Sequence, residues 1–279
     1  MLEDLLRSVP RLYPFRRGAG RIRTALMRLL VGEERISRVG DVRFRFLGHH
    51  GLFFFELYEP HVVRFLRSFL RPGDCVIDLG ANAGYLSAVA LDRVGKAGRL
   101  IAVEAAPAHH EELQWIARLN PEHRVLIEHC AAGDHDGEIT LFLNEHRGWH
   151  SILRGFNTAS SPQVEEVRVP LRSLDTIVQR EGLLQRDAIR LIKIDVEGAE
   201  HAVIGGASRL IGARAAQALI IEVTPPSAAH PVPDPSVLFE RLARAGYRAY
   251  ELSSYLDARR ELCAADVMTQ TDVLFLKAD

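Results

Sequence analysis

Apolar positions along the chain follow two periods in alternation, and their order is that of strands interleaved with helices. Continuous apolar runs of strand length occur at Cys75–Leu79, Arg99–Glu104, 124–130, 190–194 and 218–223. Stretches with helical spacing lie between them, at 85–93, 108–119 and 199–210. Runs that are apolar along their whole length suit strands covered on both faces, so the pattern predicts a mainly parallel sheet with helices on either side. A helix at 60–70 opens on Pro60, and Pro72-Gly73-Asp74 turns the chain into the first core strand. Extended runs at 139–143 and 164–169 flank a long polar connection. A Pro-rich loop at 225–235 then precedes a helix at 236–245, a strand at 247–252 and a closing strand at 272–277.

The first 58 residues read differently. Basic helical segments, broken at Pro10 and Pro14, fill 1–38, with Ile22, Leu26, Leu29 and Leu30 opposite Arg21, Arg23 and Arg28. Val42, Phe44 and Phe46 then alternate with Arg43 and Arg45 as a half-exposed strand, and Gly48-His49-His50-Gly51 turns toward a second apolar run at 53–57. The expected division is therefore a small helical and hairpin extension, 1–58, and a main domain, 59–279.

Composition adds little to this except in its charge. Hydrophobic residues at 47% and charged residues at 25% of 279 fit a soluble globular chain of this size. The net charge is −1, yet residues 1–50 hold eleven Arg against five acidic side chains, so the remainder is acidic. The basic segment either meets something anionic or packs on the acidic body. Cys75, Cys130 and Cys263 lack metal-ligand spacing and are expected to be reduced core thiols. The adjacent pairs His49-His50 and His109-His110 cannot chelate as helix pairs four apart do. No run of about 18 apolar residues occurs, and the start shows no signal-type apolar region, so the expected location is cytoplasmic.

The chemistry concentrates where strands end. The run Val76-Ile77-Asp78-Leu79-Gly80-Ala81-Asn82-Ala83-Gly84 is a buried strand entering a glycine-bearing turn, and Glu104 closes the next strand twenty residues beyond Gly84. Glycine lets backbone approach a ligand closely, and a carboxylate at the second strand end can accept from two vicinal ribose hydroxyls. A dinucleotide fold needs G-x-G-x-x-G facing a pyrophosphate. Here the glycines are spaced otherwise and Asp78 stands where a pyrophosphate would be repelled. The acidic loop suits the sulfonium and ammonium of S-adenosylmethionine. An NAD-dependent dehydrogenase fails on the same glycine spacing.

Four pieces in this order carry a resemblance: the loop 78–84, the segment around Glu104, Ala131-Ala132-Gly133-Asp134, and Lys193-Ile194-Asp195-Val196-Glu197-Gly198-Ala199-Glu200. Over roughly 58–277 the chain resembles the FkbM-type methyltransferases. The resemblance implies a class I methyltransferase (Rossmann-like) fold, a seven-stranded, mostly parallel α/β sheet with an antiparallel last strand and helices on both faces. It also implies S-adenosylmethionine as donor and a hydroxyl as acceptor, on a sugar, glycan or secondary metabolite. Ser151 matches a serine common in that family.

Ligands in open α/β sheets bind beyond the carboxyl ends of the strands, which selects the candidates. For the donor these are Asp78, Gly80, Ala81, Asn82, Gly84 and Glu104. Ala131 and Ala132 leave room for a flat adenine, Asp134 is a candidate acceptor from its amino group, and Ser151 completes the set. Each has a plainer reading: Asp78 and Asn82 as turn caps, the glycines and Gly133-Asp134 as ordinary turns. Asp195 and Glu197 are the expected catalytic pair, with Glu222 and His201 beside them. A hydroxyl is a weak nucleophile until a base takes its proton or a cation lowers its pKa. The carboxylates serve as base and orienter, or Asp195 and Glu222 hold Mg²⁺. Lys193, within an apolar strand, needs a carboxylate partner. His150 and Trp149 lie in the polar connection, as a candidate base and a candidate pocket wall. The rival functions are a nucleic-acid methyltransferase, which the acidic turn 195–198 opposes, and a donor-binding protein without chemistry. The expected acceptor is thus a small molecule or glycan, with no nucleic acid and no membrane-spanning segment.

Overall fold

The computed structural model describes residues 34–47, 58–145, 149–156, 162–227 and 230–278. The chain forms two compact units, Met1–Ser37 with Arg45–Tyr58, and Arg38–Phe44 with Glu59–Asp279. The expected helices before residue 34 and the apolar run at 53–57 lie outside the described residues. Residues 34–38, expected as helical, instead belong to a hairpin of β1 (Glu34–Val39) and β2 (Val42–Leu47). The turn between them is Gly40-Asp41, with Gly40 at φ 54°, the left-handed geometry that tight hairpin turns require.

The tip of that hairpin groups with the second unit, although it was expected in the extension. Val39, Val42 and Phe44 are buried, and the Phe44 ring meets Tyr85 edge-on at 5.9 Å. The backbone N–H of Arg43 donates to Asn120 Oδ1 at 2.9 Å.

The rest of this unit alternates as predicted: α1 (Pro60–Phe69), β3 (Cys75–Leu79), α2 (Tyr85–Val94), β4 (Arg99–Glu104), α3 (Pro107–Leu119) and β5 (Arg124–His129). β6 (Ala131–Gly133), β7 (Gly137–Asn144) and β8 (Gln163–Ser173) follow as a separate three-stranded sheet, which is why β5 stops one residue short of the expected end. Then come α4 (Leu174–Arg180), β9 (Ile189–Ile194), α5 (Glu200–Gly205), α6 (Ser208–Gly212), β10 (Ala216–Val223), α7 (Pro235–Arg244), β11 (Tyr247–Glu251), α8 (Leu252–Ala258) and β12 (Thr271–Lys277).

The main sheet has the order β11-β12-β10-β9-β3-β4-β5. β3, β4, β5, β9 and β10 pair in parallel, and β12 runs antiparallel to both of its neighbours. One face carries Ile77, Leu79, Ile101, Val103, Ile192, Ile194, Leu219 and Ile221, buried with Ile177, Val203, Leu210 and Leu238 from α4 to α7. The alternate positions face α1 to α3. There the register aligns Asp78 with Lys193, Glu222 with Asp272, and Glu104 with His129. Side chains alternate along a strand, so these charged groups share one face of the sheet at its carboxyl edge.

The expected single helix at 199–210 is two short ones. A Cβ on Gly206 would overlap the carbonyl oxygen of Gly133, so the close approach of β6 holds the break there. Cys130 is buried and Cys75 partly so, with burial raising their thiols to about 12 and about 11. Cys263, expected in the core, is exposed. Among the described residues no helix is long and apolar enough to cross a membrane.

Candidate active site

The turn after β3 is pressed between two neighbouring strands. Gly80 has φ 76°, and its backbone N–H and that of Ala81 donate to the Val103 carbonyl at 3.0 and 3.1 Å. A Cβ on Gly80 would overlap the carbonyl oxygen of Asp195, so this position admits only glycine. Asn82 follows in a left-handed conformation, φ 52°, and its N–H donates to Glu104 Oε2 at 2.8 Å. Gly84 answers a different need from ligand approach. A Cβ there would lie 2.5 Å from Ile116 Cδ1, so it lets α3 pack against the start of α2.

Glu104 is buried and its second oxygen accepts from the Ala106 N–H at 2.7 Å. Burial raises its carboxyl to about 7, against the opposing pull of those backbone donors. Asp78 lies beneath the turn at 3% exposure, and one oxygen accepts from Ser87 Oγ at 2.6 Å. Its other oxygen has no hydrogen-bond partner among the described residues. Burial raises its pKa, and the nearby Lys193 ammonium works the other way.

The second half of the site is built at the ends of β9 and β10. Lys193 is buried and donates to Asp195 Oδ2 at 2.7 Å, the pairing a buried ammonium requires. Burial opposes its charge, but Asp195, Glu59 and Asp78 outweigh that and the ammonium is held protonated far above neutrality. The chain then turns through Glu197 at φ 52° and Gly198 at φ 97°. Glu200 fastens this turn, its Oε1 accepting from the N–H groups of Gly198 and Val196 at 3.0 and 3.3 Å. Ser151 fastens it from the other side, donating to the Glu197 carbonyl at 2.6 Å.

Carboxylate oxygens of Asp195, Glu197 and Glu222 come within 4.8 Å of one another. Burial, and then the charge of Asp195, push Glu197 and Glu222 well above the usual carboxylate range. Gln270 donates to Glu222 at 2.5 Å, and Asp272 stands opposite Glu222 in the antiparallel register. Asp272 in turn lies 2.6 Å from His61 Nε2 on α1.

The expected site residues therefore fall into two groups. Asp78, Gly80, Ala81, Asn82 and Glu104 meet around the β3 turn, one strand from the cluster of Asp195, Glu197 and Glu222. Ala131 and Ala132 are buried in β6, and Asp134 beyond them is largely exposed and bonded to His135 Nδ1 at 2.6 Å. Burial lowers the His201 pKa, and the charge of Asp234 works the other way. His150 stacks on His109, ring centroids 5.3 Å apart, and accepts from the Asn144 N–H. Trp149 precedes it in the chain and is half-buried. Ser87, Glu200, Gln270, His61 and Asp272 were not anticipated. His61 and Asp272 stand 211 positions apart, and no sequence spacing could have paired them.

The sequence pattern of the methyltransferase FkbM domain matches residues 78–249, more than half of the chain. The protein belongs to the FkbM methyltransferase family. No curated protein matches the chain. Among solved structures, the FkbM methyltransferase of Methylobacillus flagellatus KT is 16% identical with a TM-score of 0.41, over 82% of this chain and 54% of that one. The chain thus spans about half the length of that structure. Aeropyrum pernix fibrillarin with bound S-adenosyl-L-methionine is 14% identical, TM-score 0.39, over 87% and 82%. M. jannaschii TYW2 in complex with AdoMet is 11% identical, TM-score 0.40, over 88% and 87%. The seven-stranded sheet with its antiparallel β12 is the class I methyltransferase fold.

Proposed function

We propose that this methyltransferase moves the methyl group of S-adenosylmethionine to a hydroxyl of a sugar, glycan or secondary metabolite. The observation that carries the reading is the approach of Asp195, Glu197 and Glu222 to within 4.8 Å at the strand ends, one strand from the Gly80–Glu104 turn. On this reading Glu104 accepts from the ribose hydroxyls and the turn at 80–82 lies against the donor. The acceptor oxygen attacks the methyl carbon in line with the departing sulfur, which keeps the electron pair of the breaking bond. The hydroxyl proton passes to the cluster, where Glu197 and Glu222 have the raised proton affinity a base needs. Asp195, tied to Lys193, orients the acceptor. Holding the reactants in line supplies most of the rate, roughly 7–11 kcal/mol, and the base about 10²–10⁴-fold more.

The three carboxylates are hard oxygen donors of the type that Mg²⁺ takes. Asp195, Glu197 and Glu222 would hold such an ion, which when bound would lower the pKa of the acceptor hydroxyl. The Lys193 ammonium already occupies one side of Asp195, which favours the metal-free route. A panel of hydroxylated acceptors, screened by mass spectrometry for one added methyl group with and without EDTA, tests both statements. Methylation of amines or of RNA in place of hydroxyls would overturn the acceptor class.

A further inference from the structure

His110 and His129 stack face to face, ring centroids 4.3 Å apart and planes 6° from parallel. His129 closes β5 and is the register partner of Glu104 on β4, so both project from the same face of the sheet. His110 comes from the start of α3, and both rings are half-exposed. His129 Nε2 lies 3.2 Å from the Ala105 carbonyl oxygen, which fixes the plane of its ring. Burial, followed by the neighbouring His129, pushes the His110 pKa down, so that ring is neutral at physiological pH.

The shape of the donor gives this pair a use. S-Adenosylmethionine runs from methionine through sulfonium and ribose to adenine. With the ribose on Glu104 at the end of β4, its sulfonium methyl must reach the carboxylates at the ends of β9 and β10. The methionine half therefore crosses β3, because the sheet order is β10-β9-β3-β4-β5. That leaves the base to lie in the opposite direction, over β5, where the next strand is about 4.8 Å away. The aromatic surface at that place is the histidine stack. Asp134, the acceptor expected from sequence, sits at the far end of β6 in another sheet, exposed and bonded to His135.

We propose that His129, backed by His110, is the wall on which the adenine of the donor stacks. This rests on the reading of S-adenosylmethionine as donor. Flat aromatic rings bind purines through their π-faces whatever the substituents on the base, and need no charge to do so.

Calorimetry with S-adenosylhomocysteine on the full chain separates the two statements. If the wild-type protein does not bind it, the donor reading fails and this inference with it. If it binds, His129→Ala should weaken the affinity by about 5- to 150-fold, the loss measured for one base–aromatic stack. His110→Ala should act in the same direction more weakly. His129→Phe keeps a flat ring without the nitrogen, and should retain most of the affinity. His129→Leu keeps apolar volume without aromaticity and should not, which decides the matter even if the alanine variant folds poorly. Wild-type affinity in His129→Ala or His129→Leu would overturn the stacking role while leaving the donor reading intact. Equal losses in the Phe and Leu variants would assign His129 to its contact with Ala105 instead, and would overturn it too.

Discussion

Gly80 and Asp195 meet backbone to backbone, with no room for a side chain between the donor turn and the end of the acidic strand. The turn that would hold the donor is thus set directly against the carboxylate that would face the acceptor. Gly80→Ala has to relieve both a left-handed φ of 76° and an overlap with a carbonyl oxygen that a strand holds in place. The strained φ alone costs about 1–2 kcal/mol, and overpacking typically adds about 1–3. Thermal unfolding should show a clear drop in Tm, and S-adenosylhomocysteine binding should fall with it. A variant with wild-type stability and affinity would show that the two strand ends can part freely.

The stability of the fold should depend on pH through its buried carboxyls. Glu200 is pushed up to about 7 from 4.5 by burial, against the hydrogen bonds its own oxygen accepts. The native chain then keeps a proton that the unfolded chain has lost, so stability falls as pH rises from about 4.5 to about 7. The loss is on the order of 3 kcal/mol for a shift of this size. Because both backbone donors reach the same oxygen, Oε1, Glu200→Gln keeps the turn fastened. That variant should match the wild type at pH 5 and exceed it at pH 8. Parallel stability curves for the two proteins across that range would refute the assignment.

Glu104 gives the donor site its own pH response. Its carboxyl titrates at about 7 without ligand, and the ionised form is the better acceptor for two ribose hydroxyls. S-Adenosylhomocysteine affinity should therefore rise as pH goes from 6 to 8. Glu104→Ala should lose affinity at both ends of the range, since hydrogen bonds to a charged group contribute roughly 1.5–3 kcal/mol each. Calorimetry that finds the variant unchanged would remove Glu104 from the site.

Much of this arrangement was legible because the core strands announce themselves as short apolar runs, and four of them carry an acid at or next to their ends, Asp78, Glu104, Asp195 and Glu222. Cys75–Leu79 with Gly80, Arg99–Glu104, Asp195 and Glu222 follow from that pattern and from the rule that ligands sit beyond strand ends. What escaped depends on contacts between distant segments. The helix break at Gly206 answers the carbonyl of Gly133, and the hydrogen bond of His61 to Asp272 depends on where α1 lies over β12. Gly84 read as a ligand-facing glycine, yet it faces Ile116 of α3. The adjacent His109 and His110 were judged by chelation spacing alone, which is silent about two rings that stack with different partners, His150 and His129.

Catalysis should divide the carboxylates by role. Asp195 is paired with a buried ammonium, whereas Glu222 meets the neutral donor Gln270 and the like charges of Asp195, Glu197 and Asp272. Asp195→Asn keeps the volume but leaves Lys193 without its strongest partner, and Glu222→Gln removes a group suited to take the proton. Each should lower turnover by at least about 10²-fold, the lower range for loss of a general base, with S-adenosylhomocysteine affinity nearly intact. The two differ in their pH response. If Glu222 accepts the proton, Glu222→Gln should flatten the rise of turnover with pH that deprotonation of a base produces. Asp195→Asn should keep that rise at a lower level. EDTA should leave the wild-type rate unchanged if the carboxylates act directly, and abolish it if a divalent cation activates the oxygen. Wild-type turnover in both variants would move the chemistry elsewhere in the crevice, with His61 and Asp272 the next groups to test.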